Sequence, residues 1–175
     1  MTARFMVAAM GQDRPGIVAA VSDTLFGLGG NVEDVSTSIL RGHFALMLVV
    51  ATPDEVGLDG VRVALDPLAR DGITVAAWEV HGSLDNTEAT HVLTVYGRDR
   101  PGIVRAVARA LAEKSVNISD TVCRLHPGDP PIYVVTVEVT LPPGTNHESV
   151  SESVAAAVGP MGLESTLRSV ERAEI

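Results

Sequence analysis

The chain has 175 residues and a mass of 18.3 kDa, enough for one ordinary domain or two small ones at about 100–150 residues per domain. Hydrophobic residues make up 46% and charged residues 20%, which excludes a disordered tail, and aromatics reach only 3%, so Val, Ala, Leu and Ile must fill the core. A net charge of −9 argues against binding to phosphate backbones, the lone Cys123 excludes an internal disulfide framework or a multi-cysteine zinc site, and no apolar run reaches the ~20 residues of a membrane span.

In chain order, residues 3–10 form an apolar, strand-like stretch that starts almost at the N-terminus. No signal-peptide pattern precedes it, so the expected location is the cytoplasm. The stretch ends at a glycine, and Asp13-Arg14-Pro15-Gly16 follows. Proline suits the first turn of a helix, where its missing N–H is no loss. Ile17, Val21, Leu25 and Leu28 then recur at helical spacing, and Gly29-Gly30 offers a C-cap. Residues 32–40 and 43–51 read as a second and a third strand. Val61, Leu65 and Leu68 mark a second helix, which Pro67 should bend or end early. Residues 73–80 read as a fourth strand.

The same order then repeats. Gly11-Gln12-Asp13-Arg14-Pro15-Gly16-Ile17-Val18 returns as Gly97-Arg98-Asp99-Arg100-Pro101-Gly102-Ile103-Val104, an offset of 86 residues. Ala20, Val21, Leu25, Asn31 and Asp34 match Ala106, Val107, Leu111, Asn117 and Asp120 at that same offset. An ungapped match of this length points to duplication. Strands are expected at 91–96, 118–125, 132–141 and 163–170, and helices from Ile103 and through Val150, Val154 and Val158. Thr145-Asn146-His147-Glu148 suggests a capping box for the last helix. The two copies span 1–82 and 90–175, with the polar segment 83–89 as linker. Each reads βαββαβ, an α+β ferredoxin-like arrangement with an antiparallel sheet and both helices on one face.

The strands carry one asymmetry. Tyr133, Val135, Val137 and Val139 alternate with Thr136, Glu138 and Thr140, as a half-buried strand should. Phe44-Ala45-Leu46-Met47-Leu48-Val49-Val50-Ala51 and Phe5-Met6-Val7-Ala8-Ala9-Met10 are apolar on both parities. The first sheet is therefore expected to bury both faces, the second against the other domain or, preferentially, in a homodimer.

The βαββαβ unit with Asp-Arg-Pro-Gly-Ile-Val after its first strand resembles the ACT domain, a family of small regulatory modules that bind amino acids and similar metabolites. Two such units with nothing appended, together with Gly30-Asn31-Val32-Glu33-Asp34 and Leu40-Arg41-Gly42-His43-Phe44, are similar to the glycine cleavage system transcriptional repressor family. The resemblance implies a ligand that sits between paired ACT domains, at Gly11, Asp13, Arg14, Gly16, Ile17 and Asn31 and at Gly97, Asp99, Arg100, Gly102, Ile103 and Asn117.

The chemistry of these residues suits an amino acid. A helix N-terminus supplies free amides and a positive dipole end to a carboxylate. Glycines let backbone approach closely, Asp13 or Asp99 can accept from an ammonium, and Asn31 and Asn117 can donate and accept together. Each residue also has a structural reading: dipole complement for the aspartates, solvated surface for the arginines, helix packing for Gly16 and Gly102, and turn geometry for the asparagines.

No catalytic constellation stands out. His43, His81, His91, His126 and His147 are scattered, Cys123 reads as a small buried hydrophobe, and no metal or cofactor site is expected. The basic stripe Arg98, Arg100, Arg105, Arg109 and Lys114 suits an acidic partner or a solvated helix face. The leading expectation is a non-enzymatic regulator that binds a small amino acid such as glycine or serine and acts on a transcription factor or an enzyme. An enzyme or enzyme subunit is the alternative, and an interaction module with a vestigial pocket is a third reading.

Overall fold

The computed structural model describes residues 2–80 and 88–170. They form two compact units, one on either side of 81–87. The expected linker lies, apart from residues 88 and 89, outside the described residues.

In the first unit β1 (Thr2–Gln12) leads to α1 (Ile17–Gly27), β2 (Asn31–Leu40), β3 (His43–Pro53), α2 (Gly57–Leu65) and β4 (Thr74–Glu79). The second repeats this as β5 (His91–Arg98), α3 (Ile103–Glu113), β6 (Asn117–His126), β7 (Ile132–Thr140), α4 (His147–Val158) and β8 (Leu163–Ser169). The sheet orders are β2-β3-β1-β4 and β6-β7-β5-β8, with every pairing antiparallel. Each unit is thus a ferredoxin-like βαββαβ domain, as the sequence predicts.

Each core lies between one sheet face and two helices. Ile17, Val21 and Leu25 of α1 and Val61 and Leu65 of α2 pack on Phe5, Val7, Ala9, Leu46, Leu48 and Val50. Ile103, Val107 and Leu111 of α3 and Val150, Val154 and Val158 of α4 do the same over Leu93, Val95, Val135 and Val137. Burying one such aliphatic side chain is worth about 1.5–3 kcal/mol, so these stripes supply most of the drive to fold.

Pro67 acts as expected. The α-helix stops at Leu65 and a 3-10 turn over Asp66–Asp71 follows, with the proline in its first turn and Gly72 closing it at φ 74°. The second unit repeats the device over Gly159–Met161, with Pro160 and then Gly162 at φ 70°. Helix α1 ends in a Schellman motif: Gly30 N–H donates to Leu25 O and Gly29 N–H to Phe26 O, with Gly29 at φ 72°. The start of α4 differs from the expected capping box. Asn146 is the N-cap, and its Oδ1 accepts from Glu148 N–H at 2.7 Å. One residue of shift moves the cap from Thr145 to the better capping side chain.

The open face of the first sheet is apolar and has no helix of its unit over it, though Val49 within it is only 6% exposed. Met10 and Met47 are 58% and 57% exposed and Trp78 is 49% exposed. The sequence assigns the cover of this face to the other domain or to a second copy, not to elements of its own unit. Strands β2 and β6 are exposed along their whole length, because each is a sheet edge with no helix over it.

Candidate ligand site at the helix N-termini

In the first unit three segments meet at one end of the sheet: the loop from β1 to α1, the hairpin turn Arg41-Gly42, and the turn at Asp71-Gly72 that precedes β4. The hairpin has two residues, at φ 48° and 79°, as a type I′ turn requires. Asp13 N–H donates to Gly42 O at 2.8 Å, and Arg14 Nη2 donates to Asp71 O at 3.0 Å. Two of the predicted ligand groups thus brace the loop. The Asp13 amide is spent on the hairpin, and the Arg14 guanidinium is tied to a carbonyl of its own unit. The Asp13 carboxylate remains exposed.

The glycines divide into two kinds. A Cβ on Gly11 would stand 2.9 Å from Gly72 O, and one on Gly97 would stand 2.7 Å from Leu163 Cδ2. These two serve the close approach of the chain to its own next turn, not to a ligand. Gly16 and Gly102 are the N-caps of α1 and α3, at φ 96° and 95°, and a Cβ on either would meet nothing within 4 Å. Helix packing therefore does not explain them. They are glycines because the left-handed backbone there turns the chain into the helix.

Ile17 and Ile103 are buried in the cores, so only their backbone N–H groups face the loop. Helices α1 and α3 have no side-chain cap and no acidic residue in the first turn. The other two differ: Asp59 lies in the first turn of α2, and Asn146 and Glu148 serve α4. The positive ends of α1 and α3 are thus left uncompensated, each behind an exposed Asp-Arg-Pro-Gly loop.

Asn31 and Asn117 do not reach these loops within their own units. Asn31 pairs with Ala51, eight residues along β3 from His43 at the hairpin. At about 3.3 Å per residue that is roughly 26 Å. Both asparagines are exposed at the starts of the edge strands β2 and β6.

In the second unit Asp99 and Arg100 are exposed. Tyr133 lies near: a hydrogen bond with Cys123, burial, and the charge of Asp99 push its phenol up to about 12. Cys123 is exposed on β6, which corrects the expected buried residue: an edge strand without a helix over it cannot bury a side chain. The basic stripe is partly used inside the unit, since Lys114 Nζ donates to Ser149 Oγ at 2.8 Å and ties α3 to α4. Sequence reasoning missed the pair His91 and His147, which lie 56 residues apart and are joined only by the fold: their rings lie 5.3 Å apart, with β5 carrying one and α4 the other. His81 lies outside the described residues. No cluster of three metal-ligating side chains occurs among the described residues, and no described helix is long and apolar enough to cross a membrane.

The family model for the ACT domain matches residues 3–75. A UPF0237 protein of Methanopyrus kandleri is 45% identical over 47 residues, which is 27% of this chain and 52% of that protein. The phosphoserine phosphatase SerB2 of Mycobacterium tuberculosis is 28% identical over 153 residues, covering 79% of this chain and 34% of the phosphatase. The chain thus spans about half or less of the curated relatives it matches here. Among solved structures, a protein of unknown role from Galdieria sulphuraria superposes with a TM-score of 0.83 at 26% identity, over 98% of this chain and all of the other. A proposed glycine cleavage system transcriptional repressor superposes with a TM-score of 0.75 at 17% identity, over 98% and 99%, a likeness of fold.

Proposed function

We propose that this tandem ACT-like protein is a non-enzymatic sensor that binds a small amino acid at the N-termini of α1 and α3 and passes its occupancy to a partner protein. The observation that carries the reading is the contrast among the four helices. The two that follow Asp-Arg-Pro-Gly have neither a cap nor an acid at the positive end, and the other two have compensation. A ligand carboxylate fits the free amides of Ile17, Val18 and Ala19, or of Ile103, Val104 and Arg105. Asp13 or Asp99 is placed to accept from the ammonium.

The asparagines join such a site only from a second ACT unit. Two β2 strands that pair antiparallel about a two-fold axis set the start of one beside the end of the other. Asn31 of one copy then comes to the hairpin and loop of its partner. The free edge of β2 has the unpaired backbone groups for this. Regulation follows if the partner protein has different affinities for the open and the ligand-bound pair.

A thermal-shift screen against the amino acids, followed by calorimetry, tests the reading. A ligand at about 100 times its dissociation constant adds about 2.7 kcal/mol of stability. Gly16→Val together with Gly102→Val abolishes the shift, because valine is strained at those φ values, whereas Asp13→Ala only weakens it. Equal binding by the wild type and the glycine variants refutes the site.

The likeness to phosphoserine phosphatases favours a second reading, in which the chain regulates a separate catalytic domain. In that case the amino acid alters the activity of a co-purifying enzyme, and the chain alone turns over no phosphoserine.

A further inference from the structure

We propose that the open face of the first sheet, over β3, β1 and β4, is a docking surface for the same face of a second copy of this chain. The strand register sets the face out in rows. Asp34, Val49, Met6 and Trp78 lie side by side, then Ser36, Met47, Ala8 and Ala76, then Ser38, Ala45, Met10 and Thr74. Apart from the polar β2 column and Thr74, every position is apolar.

The fold does not require this. The corresponding rows of the second sheet hold Asp120, Glu138, Val92 and Arg168, then Val122, Thr136, Thr94 and Thr166, then Arg124, Val134, Tyr96 and Glu164. Both sheets have helices on the opposite face only, yet only in the first are all three of these rows free of charge at their β3, β1 and β4 positions. An apolar face of this extent is costly to leave in water and is rare on monomers.

Three features commit the face to a second copy. The first is charge. Two chains at −9 each repel, so contact between copies is cheapest on a surface with no net charge. The charges here are confined to the rim, at Asp34 and at Arg4, which already donates to Glu33 through Nε at 2.7 Å and Nη2 at 3.0 Å. The second is relief. Met10, Met47 and Trp78 project beside the low residues Ala8, Ala45 and Ala76, so one such face offers both knobs and hollows to another. The third is area. Three strands about 4.8 Å apart and about seven residues long give roughly 330 Å² of flat face, or about 670 Å² for two copies. The relief of Met10, Met47 and Trp78 raises that toward the ~1,000 Å² at which an interface becomes specific. The contact uses a sheet face and is separate from the β2 edge, so it stands or falls independently of the ligand site.

Trp78 is the chain's one tryptophan and sits in this face, so it reports directly on cover. Sedimentation velocity and tryptophan emission of the full chain test the proposal, with Met47→Asp, Met10→Lys and the corresponding second-sheet change Thr136→Asp, and circular dichroism to monitor folding. The expected result is that Met47→Asp has half the mass of the wild type, with red-shifted emission at every concentration. Thr136→Asp keeps the wild-type mass, and wild-type emission shifts to the red on dilution. Met10→Lys repeats the test at the edge of the face if Met47→Asp fails to fold. A wild type of 18.3 kDa overturns the proposal. So does a folded Met47→Asp of unchanged mass, which assigns any dimer to another surface.

Discussion

Single residues at equivalent positions of the two copies show what the duplication has kept and what it has strained. Gly29 and Ser115 both occupy the left-handed position after a helix, at φ 72° and 55°. In both, the two following-turn hydrogen bonds are the same: Ser115 N–H to Ala112 O and Val116 N–H to Leu111 O match the glycine version. Glycine pays no Cβ penalty there and serine does. Ser115→Gly is therefore expected to stabilise the second unit by about 0.5–1 kcal/mol, the larger entropy of the unfolded glycine chain trimming the gain. Gly29→Ala is expected to cost about 1 kcal/mol, through φ alone, because its Cβ would make only ordinary contact with Pro53 at 3.5 Å. Urea titrations of the two variants check the opposite signs. This cap was legible at Gly29-Gly30, whose composition announces it, and illegible at Ser115, where only the backbone dihedral reveals the same turn.

At the scale of elements, strand and helix spans were readable because each buries one periodic face on one core. What escaped the sequence were links between elements distant in the chain. Arg14 to Asp71 and Asp13 to Gly42 hold the loop from β1 to α1 in place, and neither pair has a spacing that suggests contact. His91 and His147 belong to the same class. His91 Nδ1 is 2.9 Å from Thr90 Oγ1 and His147 Nε2 is 3.2 Å from Leu167 O, so the two rings bridge β5, α4 and β8. Burial first, and then the neighbouring His147, hold His91 below the ordinary histidine range. The folded state therefore resists a proton that the unfolded state takes up near pH 6.5. Stability from this pair is complete above that pH and is lost as pH falls from about 6.5 toward the lowered value. His91→Gln removes the titrating ring, so its melting temperature is expected to fall less than that of the wild type between pH 7 and 5. Parallel curves for the two proteins would show that the pair has no such effect.

At the scale of the whole molecule, the Asp-Arg-Pro-Gly motif and its asparagine recur once in each unit, and the antiparallel register sets the two at opposite ends of the sheet. The sequence puts Asn31 in the same repeat as Asp13-Arg14-Pro15-Gly16, and reading along the chain suggests that they act together within one unit. The antiparallel register separates them by the length of β3, because β2 starts at the C-terminal end of α1 while the loop lies at its N-terminal end. Strand direction alone therefore keeps Asn31 away from the loop within one unit. If β2 edges of two chains pair about a two-fold, each site takes its loop from one chain and its asparagine from the other. Gly16→Val and Asn31→Ala, each carried with its second-unit equivalent, Gly102→Val or Asn117→Ala, should then abolish binding when assayed separately. Mixed after unfolding and refolding together, the two proteins form hybrids in which one site has two defects and the other has none. With random pairing half of the dimers are hybrids, so about a quarter of the binding capacity is expected to return by calorimetry. No return of binding, with hybrid formation confirmed by mass, would mean that the loop and the asparagine do not meet across copies.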